Sequence, residues 1–175
     1  MRFPISVLFL CLLTACAALP VDTTADFDRG LAAYDGGDFP SAYRIWDGIK
    51  EGNLAALRNV ATMLRTGKGV AKDPVRAEKL MQEAAEDGLV SAEFDFGQMR
   101  LTGEAGPPDA KTGLLWIARA ADAGHPMAAY WLGRIYQQGA VVPADPVLAR
   151  KYLTLAADGG VAAALDALKA LPAAP

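Results

Sequence analysis

Along most of the chain, apolar residues recur with the spacing of a single helical face. Ala128, Leu132, Ile135 and Tyr136 form one such stripe, and Ala149, Tyr152, Leu153 and Ala156 form another. Steps of three and four mark amphipathic helices. The stripes themselves repeat. Gly67, Gly103 and Gly139 lie 36 residues apart, and so do Asp73, Asp109 and Asp145, and Ala77, Gly113 and Ala149. Leu80, Trp116 and Tyr152 keep a large apolar residue at one phase. Ala84-Ala85-Glu86-Asp87-Gly88, Ala120-Ala121-Asp122-Ala123-Gly124 and Ala156-Ala157-Asp158-Gly159-Gly160 close the periods. Agreement of separate registers on one period makes the repeat, not the single helix, the unit of the fold.

Each unit reads as two helices. The first stops at Gly67, Gly103 or Gly139, because glycine accepts the left-handed conformation that ends a helix. The second starts at Asp73-Pro74 or Asp145-Pro146: aspartate accepts bonds from unpaired N–H groups, and proline in the first turn gives up a donor that had no partner. In the middle unit Pro107-Pro108 lead into Asp109 instead. Ala61, Gly97 and Gly133 share one phase of the first helix, and Ala84, Ala120 and Ala156 one phase of the second, so neighbouring helices can approach closely there. One pair cannot bury both of its faces, and stacking supplies the stability. Phe27 to Gly52 forms a degenerate leading unit with a tight Gly36-Gly37-Asp38 turn, and its Ala42, Ile45 and Ile49 echo Ala77, Leu80 and Ala84 one residue short of the period. Val161 to Leu171 is expected to be a capping helix ending at Pro172, with a frayed tail Ala173-Ala174-Pro175.

The run Ala129-Tyr130-Trp131-Leu132-Gly133-Arg134-Ile135-Tyr136-Gln137-Gln138-Gly139, followed by Asp145, Ala149, Tyr152 and Ala156-Ala157-Asp158-Gly159, resembles the Sel-1-like repeat family, a relative of tetratricopeptide repeats. Ala56 to Gly88 matches nearly as well; Ala92 to Gly124 is looser, with Arg100 where the family prefers tyrosine. The resemblance implies an all-α, right-handed α-solenoid of stacked antiparallel helix pairs, with repeats at 53–88, 89–124 and 125–160, a leading unit at 26–52 and a capping helix and tail at 161–175. It also implies an adaptor or scaffold whose first helices line a groove for a protein or peptide. That groove would present Arg58, Thr62 and Arg65, then Phe94, Gln98 and Leu101, then Tyr130, Arg134 and Gln137. Aromatic and arginine side chains suit a binding surface, although Phe94 and Tyr130 suit packing between units equally. Trp46, Trp116 and Trp131 are expected in the core.

The first residues bear on location. Arg2 precedes the apolar run Val7 to Leu13, which is too short to span a bilayer but suits a signal peptide over 1–15. Leu13-Thr14-Ala15-Cys16 resembles the lipobox of bacterial lipoproteins, in which the cysteine is acylated and becomes the first mature residue. The other reading is ordinary cleavage at Ala15-Cys16-Ala17. Under the lipoprotein reading, residues 16–25 form a lipidated tether, the protein faces the periplasm, and Ala17 after the cysteine favours the outer membrane. The only other cysteine, Cys11, leaves with the leader, so no disulfide or thiolate metal site is expected in the mature domain. The formal charge of −3 becomes −4 once Arg2 is removed, which lacks the basic footprint of a nucleic-acid binder.

No cofactor, metal site or catalytic set is expected, and the chain reads as a non-enzyme. His125, the single histidine, falls in the Gly124-His125-Pro126 junction that opens a helix, which suits a turn residue better than a general base. Glu83, Glu86, Asp87, Asp122 and Asp158 repeat at second-helix ends, as a solvated face does. Gly67-Lys68-Gly69 lacks the spacing and the Lys-Ser/Thr ending of a phosphate loop. The competing function is an envelope enzyme, or a subunit of one, acting on or binding peptidoglycan or polysaccharide through a carboxylate pair in one cleft.

Overall fold

The computed structural model describes residues 22–172; the expected leader, Cys16, most of the expected tether and the tail 173–175 lie outside the described residues. Nine α-helices make up the described part: α1 (Thr24–Asp35), α2 (Phe39–Ile49), α3 (Leu54–Thr66), α4 (Pro74–Glu86), α5 (Val90–Thr102), α6 (Ala110–Asp122), α7 (Pro126–Gln138), α8 (Pro146–Asp158) and α9 (Ala162–Lys169). A single 3-10 turn, Lys50–Gly52, separates α2 from α3. The chain is therefore all-α, a solenoid of helix pairs in which each helix packs on the one before it and the one after. Thr24 and Ala25, expected in the tether, belong to α1.

Local chemistry explains the helix boundaries. Gly67, Gly103 and Gly139 take φ values of 74°, 74° and 67°, and their N–H groups donate to the carbonyls of Met63, Met99 and Ile135. The aspartates that follow are each held twice. The N–H groups of Asp73, Asp109 and Asp145 reach back to the carbonyls of Leu64, Arg100 and Tyr136 at 2.9, 2.7 and 3.0 Å. Their carboxylates accept from the N–H groups of Arg76, Thr112 and Leu148 at 3.0, 3.0 and 2.9 Å. One residue thus ties the end of the first helix to the start of the second. These bonds favour the ionised form: the Thr112 N–H, with help from Arg100, draws the Asp109 carboxyl down to about 2. At the far end of the pair, Leu89, His125 and Val161 donate to Ala84, Ala120 and Ala156, one residue beyond a left-handed glycine, as in a Schellman ending.

Within a pair the backbones nearly touch. A Cβ placed on Gly97 would lie 2.9 Å from both the Gly113 carbonyl and the Ile117 nitrogen. One on Gly113 would lie 2.8 Å from the Gly97 carbonyl and from the Leu101 nitrogen. The third pair repeats this with Gly133 against Leu153, and the first pair uses Ala61 and Ala77 at the same positions, both fully buried.

The leading unit packs around Trp46, whose indole N–H donates to the Phe27 carbonyl at 3.2 Å and whose ring abuts Gly30 and Tyr34. It is locked to the next unit by Lys68, whose Nζ donates to the Tyr34 hydroxyl at 2.9 Å and sits 4.2 and 4.1 Å from the Tyr34 and Phe39 ring centres. Beyond it, α5 is buried on two sides: Ala92, Phe96 and Met99 face the preceding units, and Phe94 the following ones.

Replacing Gly113 by Val puts a branched side chain against backbone that cannot move aside, and lowers the unfolding free energy by about 2 kcal/mol. Gly106→Ala, where a Cβ meets nothing within 4 Å, stays within about 0.5 kcal/mol of the wild type. Urea denaturation of the two variants checks both values.

Candidate functional site

The nine residues expected to line a groove fall into separate registers, and the structure does not gather them on one open surface. Arg58, Phe94 and Tyr130 occupy equivalent positions directed at the junctions between units. The Arg58 guanidinium is bonded to Asp95 at 2.6 Å, one position further along in the next unit. Phe94 makes the same step to Trp131, edge to face with ring centres 6.5 Å apart, and is only 8% exposed. Tyr130 is half-buried against the core of the last units. The same geometric contact is thus ionic at one junction and aromatic at the next.

Arg65, Leu101 and Gln137 form a second register, also engaged within the chain. Arg65 donates twice to Glu104, with both contacts at 2.6 Å, and this fork holds the Glu104 carboxyl below its ordinary value and raises Arg65. Leu101 packs on the core, and Gln137 donates to the Ala167 carbonyl at 3.2 Å. Only the third register, Thr62, Gln98 and Arg134, lies on the outward stripe of the first helices. Thr62 turns its hydroxyl back to the Arg58 carbonyl at 2.9 Å.

That outward stripe changes character along the array. On α3 it reads Ala55, Asn59, Thr62 and Thr66; on α5 it reads Ser91, Asp95, Gln98 and Thr102. On α7 it becomes Met127, Trp131, Arg134 and Gln138. Met127 and Trp131 are 41% and 36% exposed, which corrects the expectation that Trp131 lies in the core. Trp46 is buried as expected, and Trp116 is half-buried with its ring edge-on to Phe96. The signal for Trp131 in the sequence was weak: its equivalents Asn59 and Asp95 are polar, yet Asp95 is buried and paired with Arg58.

Charges inside the array are matched. Glu93, 4% exposed, meets Arg119 at 2.8 Å, and Arg119 in turn lies over the Trp116 ring. Asp95, 9% exposed, is neutralised by Arg58. A buried carboxylate without such a partner is strongly destabilising. Arg100, which departs from the family's tyrosine, bridges Glu78 at 3.2 Å and the capping Asp109 at 3.1 Å. In the third unit Tyr136 stacks on Tyr152 instead. The acids considered as a carboxylate pair, Glu83, Glu86, Asp87, Asp122 and Asp158, are all exposed at the ends of second helices.

His125 is the N-cap of α7. Its Nδ1 accepts the Ala128 N–H at 3.1 Å, and its ring lies 4.9 Å from that of Phe94. Burial holds its pKa below the ordinary value, with the Arg58 charge acting the same way and Asp95 opposing.

The Sel1 repeat family model matches residues 54–89, 90–125 and 126–161. A Sel1 repeat protein from Oxalobacter formigenes is 28% identical, with a TM-score of 0.75 over 81% of this chain and 58% of its own. The protein c5321, described as a protective antigen present in uropathogenic Escherichia coli strains, is 24% identical, with a TM-score of 0.77 over 85% of this chain and 33% of its own. The chain thus spans 58% and 33% of the lengths of these two relatives. No curated protein matches it.

Because Nδ1 must stay unprotonated to accept the Ala128 N–H, the fold favours neutral His125. The unfolded chain then binds more protons below about pH 6.5. Stability is full above that value and falls as the pH drops from there through the lower folded pKa. Urea midpoints at pH 7.5 and pH 5.5 should therefore differ in the wild type and differ less in His125→Asn, which keeps a capping acceptor that does not titrate. Equal differences in the two proteins would remove His125 from the account.

Proposed function

Because the chain belongs to the Sel1 repeat family, we propose that it is a scaffold and not an enzyme: a lipid-anchored adaptor of the bacterial envelope that docks a protein or peptide on the outward stripe of its first helices. The observation that carries this reading is the stripe on α7, because Met127 and Trp131 are the large apolar residues exposed on the first helices of the three repeats, whereas Val75, Leu115, Val147 and Leu155 are exposed on the second helices. Large exposed apolar side chains beside a cation are the composition of binding surfaces. The matched residues are repeats of a family that mediates protein–protein contacts. Support for the anchor comes from Leu13-Thr14-Ala15-Cys16 behind a short apolar run, and Ala17 in the next position favours the outer membrane. The acyl chains would hold the solenoid at the periplasmic surface and leave the stripe free.

Two experiments in cells test the two halves of this reading. With a photo-crosslinking residue at Met127, irradiation yields a specific protein adduct, whereas the same residue at exposed Lys79 on α4 does not. Equal adducts at both positions, or none at either, would refute docking on the first-helix side. Metabolic labelling with a radioactive fatty acid marks the wild type and not Cys16→Ala, and the variant leaves the membrane fraction. Labelling that persists without Cys16 would refute the anchor.

A further inference from the structure

The structure also bears on what the partner presents; this step rests on the docking reading above. Every arginine among the described residues except one makes a hydrogen bond or ion pair within the chain: Arg29, Arg58, Arg65, Arg76, Arg100 and Arg119 with carboxylates, Arg44 with the Ser41 hydroxyl, and Arg150 with the Pro172 carbonyl. The exception is Arg134. It is half-buried on α7, one turn from Trp131, and is the only charged residue of that helix. Asp95, on the stripe of the preceding unit, is already paired with Arg58 at 2.6 Å.

We propose that this part of the stripe binds an acidic peptide segment of a partner protein, an Asp or Glu carboxylate pairing with Arg134 while a neighbouring apolar side chain covers Trp131 and Met127. Three features favour such a ligand. A guanidinium presents a planar fork of donors that fits a carboxylate in bidentate fashion, as Arg65 already does with Glu104 in this chain. The arginine is flanked by apolar surface that lowers the local dielectric and strengthens a charge pair formed there. The axial rise from Trp131 to Arg134 is about 4.5 Å, which flexible side chains bridge from residues i and i+2 on one face of an extended peptide, about 6.6 Å apart. The equivalent residues Thr62 and Gln98 are neutral, so the specificity belongs to α7 alone.

The test is selection of random displayed heptapeptides on the full chain held in mild detergent, followed by fluorescence anisotropy with the enriched peptides made synthetically. The expected pool places Asp or Glu within two residues of an aromatic or aliphatic side chain. Arg134→Glu weakens these peptides about tenfold or more, the weight of one charge-assisted bond, and a peptide with Lys in place of its acid regains binding to that variant. Trp131→Ala weakens both peptides, and Val75→Ala on α4 weakens neither. Peptides that bind and are lost in Trp131→Ala, but carry no acid or ignore Arg134→Glu, would overturn the acidic-segment proposal and leave docking on α7 standing. A pool of basic peptides would overturn it too. If no peptide is enriched, or binding survives Trp131→Ala and Arg134→Glu alike, both the segment and the docking reading fail.

Discussion

The structure depends on how closely the two helices of a pair can approach. At Gly97 and Gly113 the backbones of α5 and α6 lie where a Cβ would stand 2.8 to 2.9 Å from a carbonyl oxygen or amide nitrogen. Contact that close brings the large residues of one helix into the space beside the other, and Ile117, Leu132 and Leu153 are almost fully buried as a result. The aspartates at the start of the second helices maintain the geometry by binding both helices of their pair at once. With the pairs fixed internally, the junctions between them are left to vary, and they do. Arg58 with Asp95 and Phe94 with Trp131 solve the same spatial problem with different chemistry.

A repeat that fixes its interior and varies its junctions also fixes where function can reside. Small residues and caps occupy the inner positions, and bonds within the chain take up every arginine of the described residues but Arg134. What remains outward on the first helices is small and polar on α3 and on α5, where Asp95 is buried against Arg58, and apolar with an arginine on α7. The docking proposal follows from that gradient, not from any single residue.

The fold was legible because its determinants are glycine and aspartate at fixed positions, and backbone chemistry leaves them few alternatives. The leading unit was legible as well, down to its Gly36-Gly37-Asp38 turn, where Gly37 is left-handed and Asp38 caps α2. The site was legible only in part. Neighbouring residues on a helix are separated by about 100°, so a periodic pattern identifies the buried face but does not decide which flanking position the next unit covers. Phe94 and Asp95 are both buried at that edge, Arg58 and Asn59 are half-buried, and Tyr130 is half-buried while Trp131 is exposed. Burial of Phe94 against His125 and Trp131 depends on stacking between units, which periodicity within one unit does not contain. Arg100 shows the same limit: a departure from the family pattern in sequence is, in space, a bridge from α4 to a capping aspartate.

In the proposed role, the α7 stripe distinguishes this array from a purely structural stack. It is tested most directly by giving α7 the stripe of α3, with Met127→Ala, Trp131→Asn and Arg134→Thr in one chain, and by comparing partner capture in cells with the circular dichroism of the purified protein. The expected result is that the helical spectrum is retained and that the partner adduct formed from a crosslinker at Gln138 disappears. Retention of the adduct by a protein with the α3 stripe on α7 would contradict it.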